Sequence, residues 1–473
     1  MTNYHLAPFC FDVLADDILL SNEAGRYIFL SPQCFEDFLA GRLITTEPLF
    51  DDLCKQGFAY SDTRQEFLDT WSQQVRRNKA CHFTATQLFI LVLTTACNQR
   101  CVYCQASAGT ADAYMSWDVA RQAVELAFQS PAPAITLEFQ GGEPTLNSSV
   151  LKQSVRYAKE LAEQTGKQLS MSLVTNLTCV REDLLQWLLQ QGVSICTSLD
   201  GPDFLHNTNR PMMHGKSSYD VFSLGVKKYQ DLCKNLGMST IPQAIQTTTR
   251  SSLAYGREIV HEYMRWGIDS LYLRPLTPLG LAAAQWEEIG YSPEEYLAYY
   301  CDIIHCLLEM NERGIPMREV TASIYLRRIL LNESISHTEH RSPCGGGIGQ
   351  MAIQPNGDVY TCDEARMLAT TGESIFRIGC IQEKYSKLIA SPAVHAVCTA
   401  SCIESLPMCC DCVFHPYCAT CPVVTYGTEK ALVSQQAESY HCKISKGILT
   451  FLFSVLHHGG EADITNLHKW AHQ

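Results

Sequence analysis

The stretch Thr94-Thr95-Ala96-Cys97-Asn98-Gln99-Arg100-Cys101-Val102-Tyr103-Cys104 constrains this chain more than any other. It follows Leu88-Phe89-Ile90-Leu91-Val92-Leu93, an unbroken apolar run of the kind that forms a strand buried on both faces of a parallel sheet. The three cysteines, spaced C-x3-C-x2-C, therefore fall on a loop at the carboxyl end of a strand, where α/β folds place their chemistry. Three close thiolates suit three irons of a [4Fe–4S] cluster and leave the fourth iron free for a ligand. A zinc knuckle or three unrelated thiols are the alternatives. Zinc sites favour paired C-x2-C units with a fourth ligand nearby, and none follows until far downstream.

Composition narrows the class. With 473 residues there is room for two or three domains and a large core. No uninterrupted apolar run approaches membrane-spanning length, so no membrane association is expected. Met1-Thr2-Asn3-Tyr4-His5 has neither a basic n-region nor an apolar h-region, which predicts a cytoplasmic protein. A net charge of −13 argues against a nucleic-acid partner. The 23 cysteines are the outlier, and in a cytosolic chain they point to metal clusters rather than disulfides.

Taken in order, residues 1–80 read as a small separate unit. Val13 to Leu20 is a strand candidate, Asn22-Glu23-Ala24-Gly25 a turn, and Arg26 to Leu30 a returning strand. Ser31 caps a helix with Pro32 at its first position, and a second short helix around Leu49, Phe50 and Leu53 ends at Gly57. Residues 62–79 read as a polar connecting helix. From Thr86 to about Leu279, strands alternate with helices. The strands are Leu88 to Leu93, Ala134 to Phe139, Leu169 to Val174, Val193 to Ser198, Pro242 to Thr247 and Ser270 to Arg274. Six βα units in series imply a parallel sheet with helices outside. Residues 285–313 and 318–332 read as helices, making 286–340 a helical connection after the 81–285 unit. Met351-Ala352-Ile353-Gln354 and Asp358-Val359-Tyr360-Thr361 flank Pro355-Asn356-Gly357 as a hairpin within the last unit, 341–473.

The cysteine spacing, with Tyr103 before the third cysteine, resembles the signature of the radical S-adenosylmethionine (SAM) superfamily. That resemblance implies an α/β fold, a partial (β/α)6 barrel. It also implies SAM chelated at the open iron of a cluster on Cys97, Cys101 and Cys104. Motifs at the strand ends fit the same family. Gln140-Gly141-Gly142-Glu143-Pro144 offers two glycines for close backbone approach and a carboxylate for the methionyl ammonium. Thr175 and Asn176 close the third strand. Ser198 and Asp200 in Ser198-Leu199-Asp200-Gly201-Pro202 are candidates for ribose or methionyl contacts, the alternative being a capped turn. Leu273 lies where the family packs adenine. His206-Asn207-Thr208-Asn209-Arg210 resembles a loop reaching toward substrate, or else is a solvated loop.

The C-terminal cysteines resemble the SPASM domain, whose seven cysteines bind two auxiliary [4Fe–4S] clusters. By position, Cys344, Cys362 and Cys421 would serve the first and Cys409, Cys412, Cys418 and Cys442 the second. Only Ala419 and Thr420 separate the last close pair, one residue fewer than usual. A structural zinc array is the competing reading. The hairpin-then-helices pattern of residues 1–80 resembles a winged-helix-like leader-peptide-recognition module, with a structural cap as the alternative. Across the chain, Glu138-Phe139-Gln140-Gly141-Gly142-Glu143-Pro144, Leu273-Arg274-Pro275-Leu276 and Asp363-Glu364-Ala365-Arg366-Met367-Leu368 are similar to the His-Xaa-Ser-system radical SAM maturases. The resemblance implies three [4Fe–4S] clusters and SAM, a ribosomally made precursor peptide as substrate, and a flavodoxin- or ferredoxin-type electron donor. The expected product is a C–C, C–O or C–S crosslink. The alternatives are oxidation of a Cys or Ser in a protein, as in anaerobic sulfatase maturases, and a noncatalytic metal-cluster scaffold that binds a peptide.

Overall fold

The computed structural model describes residues 4–61, 63–109, 111–239, 242–334 and 340–473. Met1, Thr2 and Asn3, part of the stretch that predicts no signal segment, and Asp62, expected in the connecting helix, lie outside the described residues. So do residues 335–339 of the helical connection.

The chain opens with β1 (His5–Leu6), then β2 (Cys10–Leu14), β3 (Asp17–Ser21) and β4 (Tyr27–Leu30), an antiparallel meander in the order β2-β3-β4. Val13 to Leu20 is thus two strands and not one. The chain reverses at Ala15-Asp16, pairing Leu14 with Asp17, and Ala15 takes a φ of 55°, uncommon for a residue with a Cβ. No Gly, Asn or Pro marks the turn, so the pattern alone runs straight through it. Helices α1 (Pro32–Leu39) and α2 (Pro48–Lys55) follow. Ser31 caps α1 by accepting from the Cys34 N–H. Leu20, Leu30, Phe38, Phe50, Leu53 and Phe58 form a small core of their own. β5 (Ala59–Tyr60) returns to pair with β1, and α3 (Arg64–Asn78) leads away.

The main body alternates β6 (Leu88–Thr94), α4 (Trp117–Phe128), β7 (Ala134–Gly141), α5 (Ser148–Thr165), β8 (Gln168–Val174), α6 (Glu182–Gln190), β9 (Val193–Ser198), α7 (Asp203–Asn209), α8 (Ser218–Asn235), β10 (Gln243–Thr247), α9 (Gly256–Arg265) and β11 (Ser270–Arg274). Neighbouring strands from β6 to β11 pair in parallel, as short crossovers through helices require. After a short α10 (Gly280–Ala284), the single helix expected over 285–313 is two: α11 (Trp286–Ile289) and α12 (Pro293–Glu312). The break lies where Ser292 and Glu295 form a reciprocal capping box that restarts the helix after Gly290. β12 (Arg318–Glu319) adds to β11, and α13 (Val320–Leu331) follows.

The predicted hairpin forms, but it does not stand apart. β13 (Gln350–Ile353) pairs in parallel with β6, and β14 (Asp358–Tyr360) continues the sheet antiparallel. Next come α14 (Asp363–Ala369) and β15 (Arg377–Cys380), so one ten-stranded sheet runs β12-β11-β10-β9-β8-β7-β6-β13-β14-β15. α15 (Tyr385–Ile389), α16 (Pro392–Ala400), α17 (Pro422–Glu429), α18 (Tyr440–His458) and α19 (Glu461–Ala471) complete the chain. Contacts from the N-terminal unit seat it on this last third: Tyr417 donates to the Gly25 carbonyl, Lys79 pairs with Glu404 at 2.7 Å, and Asp17 with His457 at 2.7 Å. No helix among the described residues is long and apolar enough to cross a membrane.

Glu319 pins the far edge of the sheet. Its fully buried carboxylate accepts from Tyr300 Oη (2.7 Å), Leu273 N (3.2 Å) and Ala322 N (2.6 Å), so it joins α12, β11 and α13. Burial raises its pKa, opposed by these bonds. Glu319→Ala would strand those donors without water. A loss of about 3 kcal/mol or more is expected in urea unfolding, with Glu319→Gln recovering part of it.

Candidate functional site

The cysteine loop leaves β6 and is clamped by backbone from two sides. Gly142 N donates to Thr94 O and Glu143 N to Ala96 O, each at 2.8 Å. On the other side, Arg100 N donates to Pro211 O (2.8 Å) and Val102 N to Asn209 O (3.0 Å). The role of the glycines is clear from what a side chain would meet. A Cβ at Gly141 would stand 2.2 Å from Thr94 O, and one at Gly142 2.2 Å from Ala96 O. They are glycine because the turn after β7 is pressed against the cysteine loop, a requirement distinct from the ligand approach expected above.

Cys97, Cys101 and Cys104 line one cavity of about 620 Å³. Its wall also takes Gln140, Gly141 and Gly142 from the end of β7, Thr175 and Asn176 after β8, and Ser198 at the end of β9. Each sulfur meets a donor: Gln99 N to Cys97 Sγ at 3.4 Å, Ala108 N to Cys104 Sγ at 3.4 Å, and the Arg210 guanidinium to Cys101 Sγ at 3.9 Å. Burial, the largest influence, pushes the Cys97 thiol up to about 11 and the Cys101 thiol up to about 12. Such thiols stay neutral until a cation takes the proton's place. Three converging sulfurs with N–H donors around them fit a [4Fe–4S] cluster.

Three of the expected SAM contacts stand behind the wall. Glu143 is fully buried, and its carboxylate accepts from Thr145 N (3.0 Å), Thr145 Oγ1 (2.6 Å), Thr175 Oγ1 (2.8 Å) and Asn176 N (2.9 Å). It ties the turns after β7 and β8 together. Asp200 is also fully buried, where it accepts from Tyr103 Oη at 2.7 Å and pairs with Arg210 at 3.1 Å. Leu273 is buried, while its neighbours Tyr272 and Arg274 line the cavity, because alternate residues of a strand face opposite sides of the sheet. Asn176 reaches the cysteine loop, donating to Asn98 Oδ1 at 2.9 Å.

His206 to Asn209, expected in a substrate-facing or solvated loop, belong to α7, with His206, Asn209 and Arg210 buried. Pro202 and Asp203 start this short helix, which shows no apolar periodicity to reveal it. Its carboxyl end backs the cysteine loop. Burial first, and then the Arg210 charge, lower the His206 pKa to about 3, so its ring is neutral and accepts at Nδ1 from Asp200 N.

The opposite wall comes from α14. Asp363, Glu364 and Arg366 line the cavity, with Arg366 donating to Asp363 (2.7 Å) and to Gln140 (2.9 Å), and Arg274 to Glu364 (3.3 Å). Glu138, at the base, accepts from Gln140 and from Ser172. The sequence marks Asp363 to Leu368 only as a family-like stretch and not as part of a site, since it is the parallel joining of β13 to β6 that brings α14 to this cavity.

Cys344 and Cys362 belong to one buried cluster, and the partly buried Cys421 packs against it. Gly346 N donates to Cys344 Sγ and Ala365 N to Cys362 Sγ, both at 3.4 Å. Burial pushes the Cys362 thiol well up, reinforced by Glu364, Cys421 and Cys344. Cys409, Cys412, Cys418 and Cys442 form a second group whose thiols act on one another: after burial, Cys442, Cys412 and Cys409 are what raise Cys418. Both groups are thiol sets that fit iron–sulfur clusters. Cys10, from β2, lies beside the loop that carries Cys409 and Cys412: its thiol donates to the Cys410 carbonyl at 3.4 Å.

Residues 91–243 match the family model of the Radical SAM superfamily. The chain is 26% identical over 190 residues to an uncharacterized protein of Methanocaldococcus jannaschii, a match covering 40% of this chain and 62% of that one, so less than two thirds of that relative is spanned. It is 24% identical over 289 residues to a cysteine-type anaerobic sulfatase-maturating enzyme of Clostridium perfringens, covering 58% and 74%. Among solved structures, native anSMEcpe with bound AdoMet and Kp18Cys peptide superposes with a TM-score of 0.66 at 18% identity, over 81% of this chain and 99% of that one. Streptococcus suis SuiB bound to precursor peptide SuiA gives 0.52 at 13%, over 91% and 98%. At such identities these two likenesses speak for the fold. The family match, the three-cysteine loop and the parallel sheet together establish that this chain carries a radical SAM domain.

Proposed function

We propose that this chain is a radical SAM peptide maturase, akin to the His-Xaa-Ser-system enzymes, that installs a C–C, C–O or C–S crosslink in a ribosomally made precursor. One observation carries the reading: a single cavity has the cluster loop on one wall and the paired charges of α14 on the other, and α14 starts at Cys362 of the first auxiliary set. Cys97, Cys101 and Cys104 would hold one [4Fe–4S] cluster. Gln140, Gly141, Gly142, Thr175, Asn176 and Ser198 would flank SAM, with Glu143, Asp200 and Leu273 in support behind them. When bound, the cluster and SAM supply a 5′-deoxyadenosyl radical that takes a hydrogen from the peptide. The chain's own part is to seat both reactants in one enclosed space and to exclude water from it. Cys344, Cys362 and Cys421, and Cys409, Cys412, Cys418 and Cys442, would hold two auxiliary clusters that take up the surplus electron. A flavodoxin- or ferredoxin-type donor would supply the first.

On this reading residues 1–80 form the leader-recognition domain, 81–285 the barrel, 286–340 the connection and 341–473 the SPASM domain. Support for leader binding comes from β2. It is an edge strand, and its Phe11 and Val13 are 52% and 64% exposed. An exposed apolar edge is a liability unless a strand pairs with it, and peptides bind such edges by strand addition. The likeness to the sulfatase-maturating relative supports the alternative, oxidation of a protein Cys or Ser, equally well in the barrel but gives no use for this edge.

Anaerobically reconstituted protein should carry iron and sulfide near twelve each per chain, and near eight after Cys97, Cys101 and Cys104 are all replaced by Ala. Protein holding zinc and no sulfide would refute the assignment. Glu143→Gln should cost about 1–3 kcal/mol in urea unfolding, because its amide turns N–H groups toward donors, and SAM affinity should fall with it. Phe11→Asp with Val13→Asp should weaken binding of the precursor at least tenfold by fluorescence anisotropy and leave uncoupled SAM cleavage intact. Normal precursor processing by that variant would leave the N-terminal unit as a cap.

A further inference from the structure

Arg210 is 7% exposed. A guanidinium so far from water is costly unless its surroundings compensate. It has three partners on two sides. Its Nε lies 3.1 Å from Asp200 Oδ1, its plane stands over the Tyr103 ring at 5.3 Å, and Nη1 points to Cys101 Sγ at 3.9 Å. Asp200 is held in turn by the Tyr103 hydroxyl at 2.7 Å and by the Thr247 N–H at 3.4 Å. The carboxylate and the ring thus confine the guanidinium from two contacts, and Nη1 is left to reach the sulfur. An ion pair whose only task was to neutralise Asp200 would not need that contact. A lysine ammonium is a single point charge and cannot hold both contacts from one fixed plane.

We propose that Arg210 is a positioning residue for the cluster loop: locked by Asp200 and Tyr103, it donates to Cys101 Sγ and favours the reduced form of a cluster bound there. The inference rests on reading Cys97, Cys101 and Cys104 as cluster ligands. Reduction adds one negative charge to the cluster and changes nothing else in the balance. A fixed cation beside a ligand sulfur, in a medium that screens poorly, stabilises that added charge. Asp200 opposes this, but both its oxygens are engaged by Tyr103, Thr247 and Arg210, and Arg210 is the group that touches the sulfur. The same bond holds the second cysteine in place, between the backbone bonds of Arg100 and Val102 to Pro211 and Asn209.

The test is a potentiometric titration of the reconstituted full-length protein, following the [4Fe–4S]⁺ electron paramagnetic resonance signal that changes on adding SAM. At the wild-type midpoint, the oxidised-to-reduced ratio should rise about tenfold in Arg210→Gln, a fall of about 59 mV for a one-electron couple. Arg210→Lys should fall between the two. Arg210→Gln leaves a buried anion without its partner, so Asp200→Asn combined with Arg210→Gln, which removes both charges, provides a variant free of that strain. It should keep the iron content and show a midpoint below that of the wild type, though less far below than in Arg210→Gln, because the opposing Asp200 charge is gone as well. A wild-type midpoint in the double variant overturns the proposal and leaves Arg210 as a charge neutraliser for Asp200. A wild-type protein with no SAM-sensitive signal overturns the cluster reading itself.

Discussion

The structure turns on how the loop after β6 is gripped. A cysteine-bearing loop of this length has no regular structure of its own, yet it must hold three sulfurs at fixed separations. It does so by borrowing backbone partners from two unrelated places, the Gly141-Gly142-Glu143 turn and the end of α7. The first grip demands glycine, because carbonyl oxygens of the loop occupy the space of any Cβ. The second demands a buried helix end, and the Asp200–Arg210 pair anchors that end beneath Tyr103. The loop is also tied to the main core, since Tyr103 is buried in it and Cys101 and Val102 pack against it.

Much of this was legible in the sequence because it depends on residue type and local period. The six parallel strands announced themselves as apolar runs ending in polar motifs, and the cap at Ser31 marks a real helix start. What escaped were relations between distant residues. Nothing near Arg210 in sequence says that Cys101 is its neighbour, and nothing in Asp363-Glu364-Ala365-Arg366 says that these charges face the barrel interior. Glu143 was legible as a carboxylate at a strand end, but its four donors come from the turns after two different strands. For Leu273, family position pointed to the residue, whereas the two-residue alternation of the strand decides that Tyr272 and Arg274 face inward.

The two terminal regions also read differently once assembled. As sequence, residues 1–80 and the cysteine-rich tail are separate modules. In the fold they touch: Ser21 donates to the Val413 carbonyl, Tyr417 to Gly25, and the Cys10 thiol lies at the loop carrying Cys409 and Cys412. Phe29 stacks on His457 with ring centres 3.8 Å apart, beside the Asp17 pair. The meander that offers an edge at β2 is therefore seated on the tail through β3 and β4, with Cys10 of β2 beside the Cys410 carbonyl.

The joining of β13 to β6 has a consequence for how the molecule comes into being. β6 carries the cysteine loop, but one of its two neighbours is made more than two hundred and fifty residues later. While the chain grows from its amino end, β6 waits with one backbone edge unpaired and its sulfur-bearing loop only half enclosed. The gap closes when Gln350 to Ile353 emerge and slide in beside it. Sheet closure is thus a late, long-range event that sets a slow step on assembly. Until then the thiols of the loop lack the wall that α14 adds to the cavity.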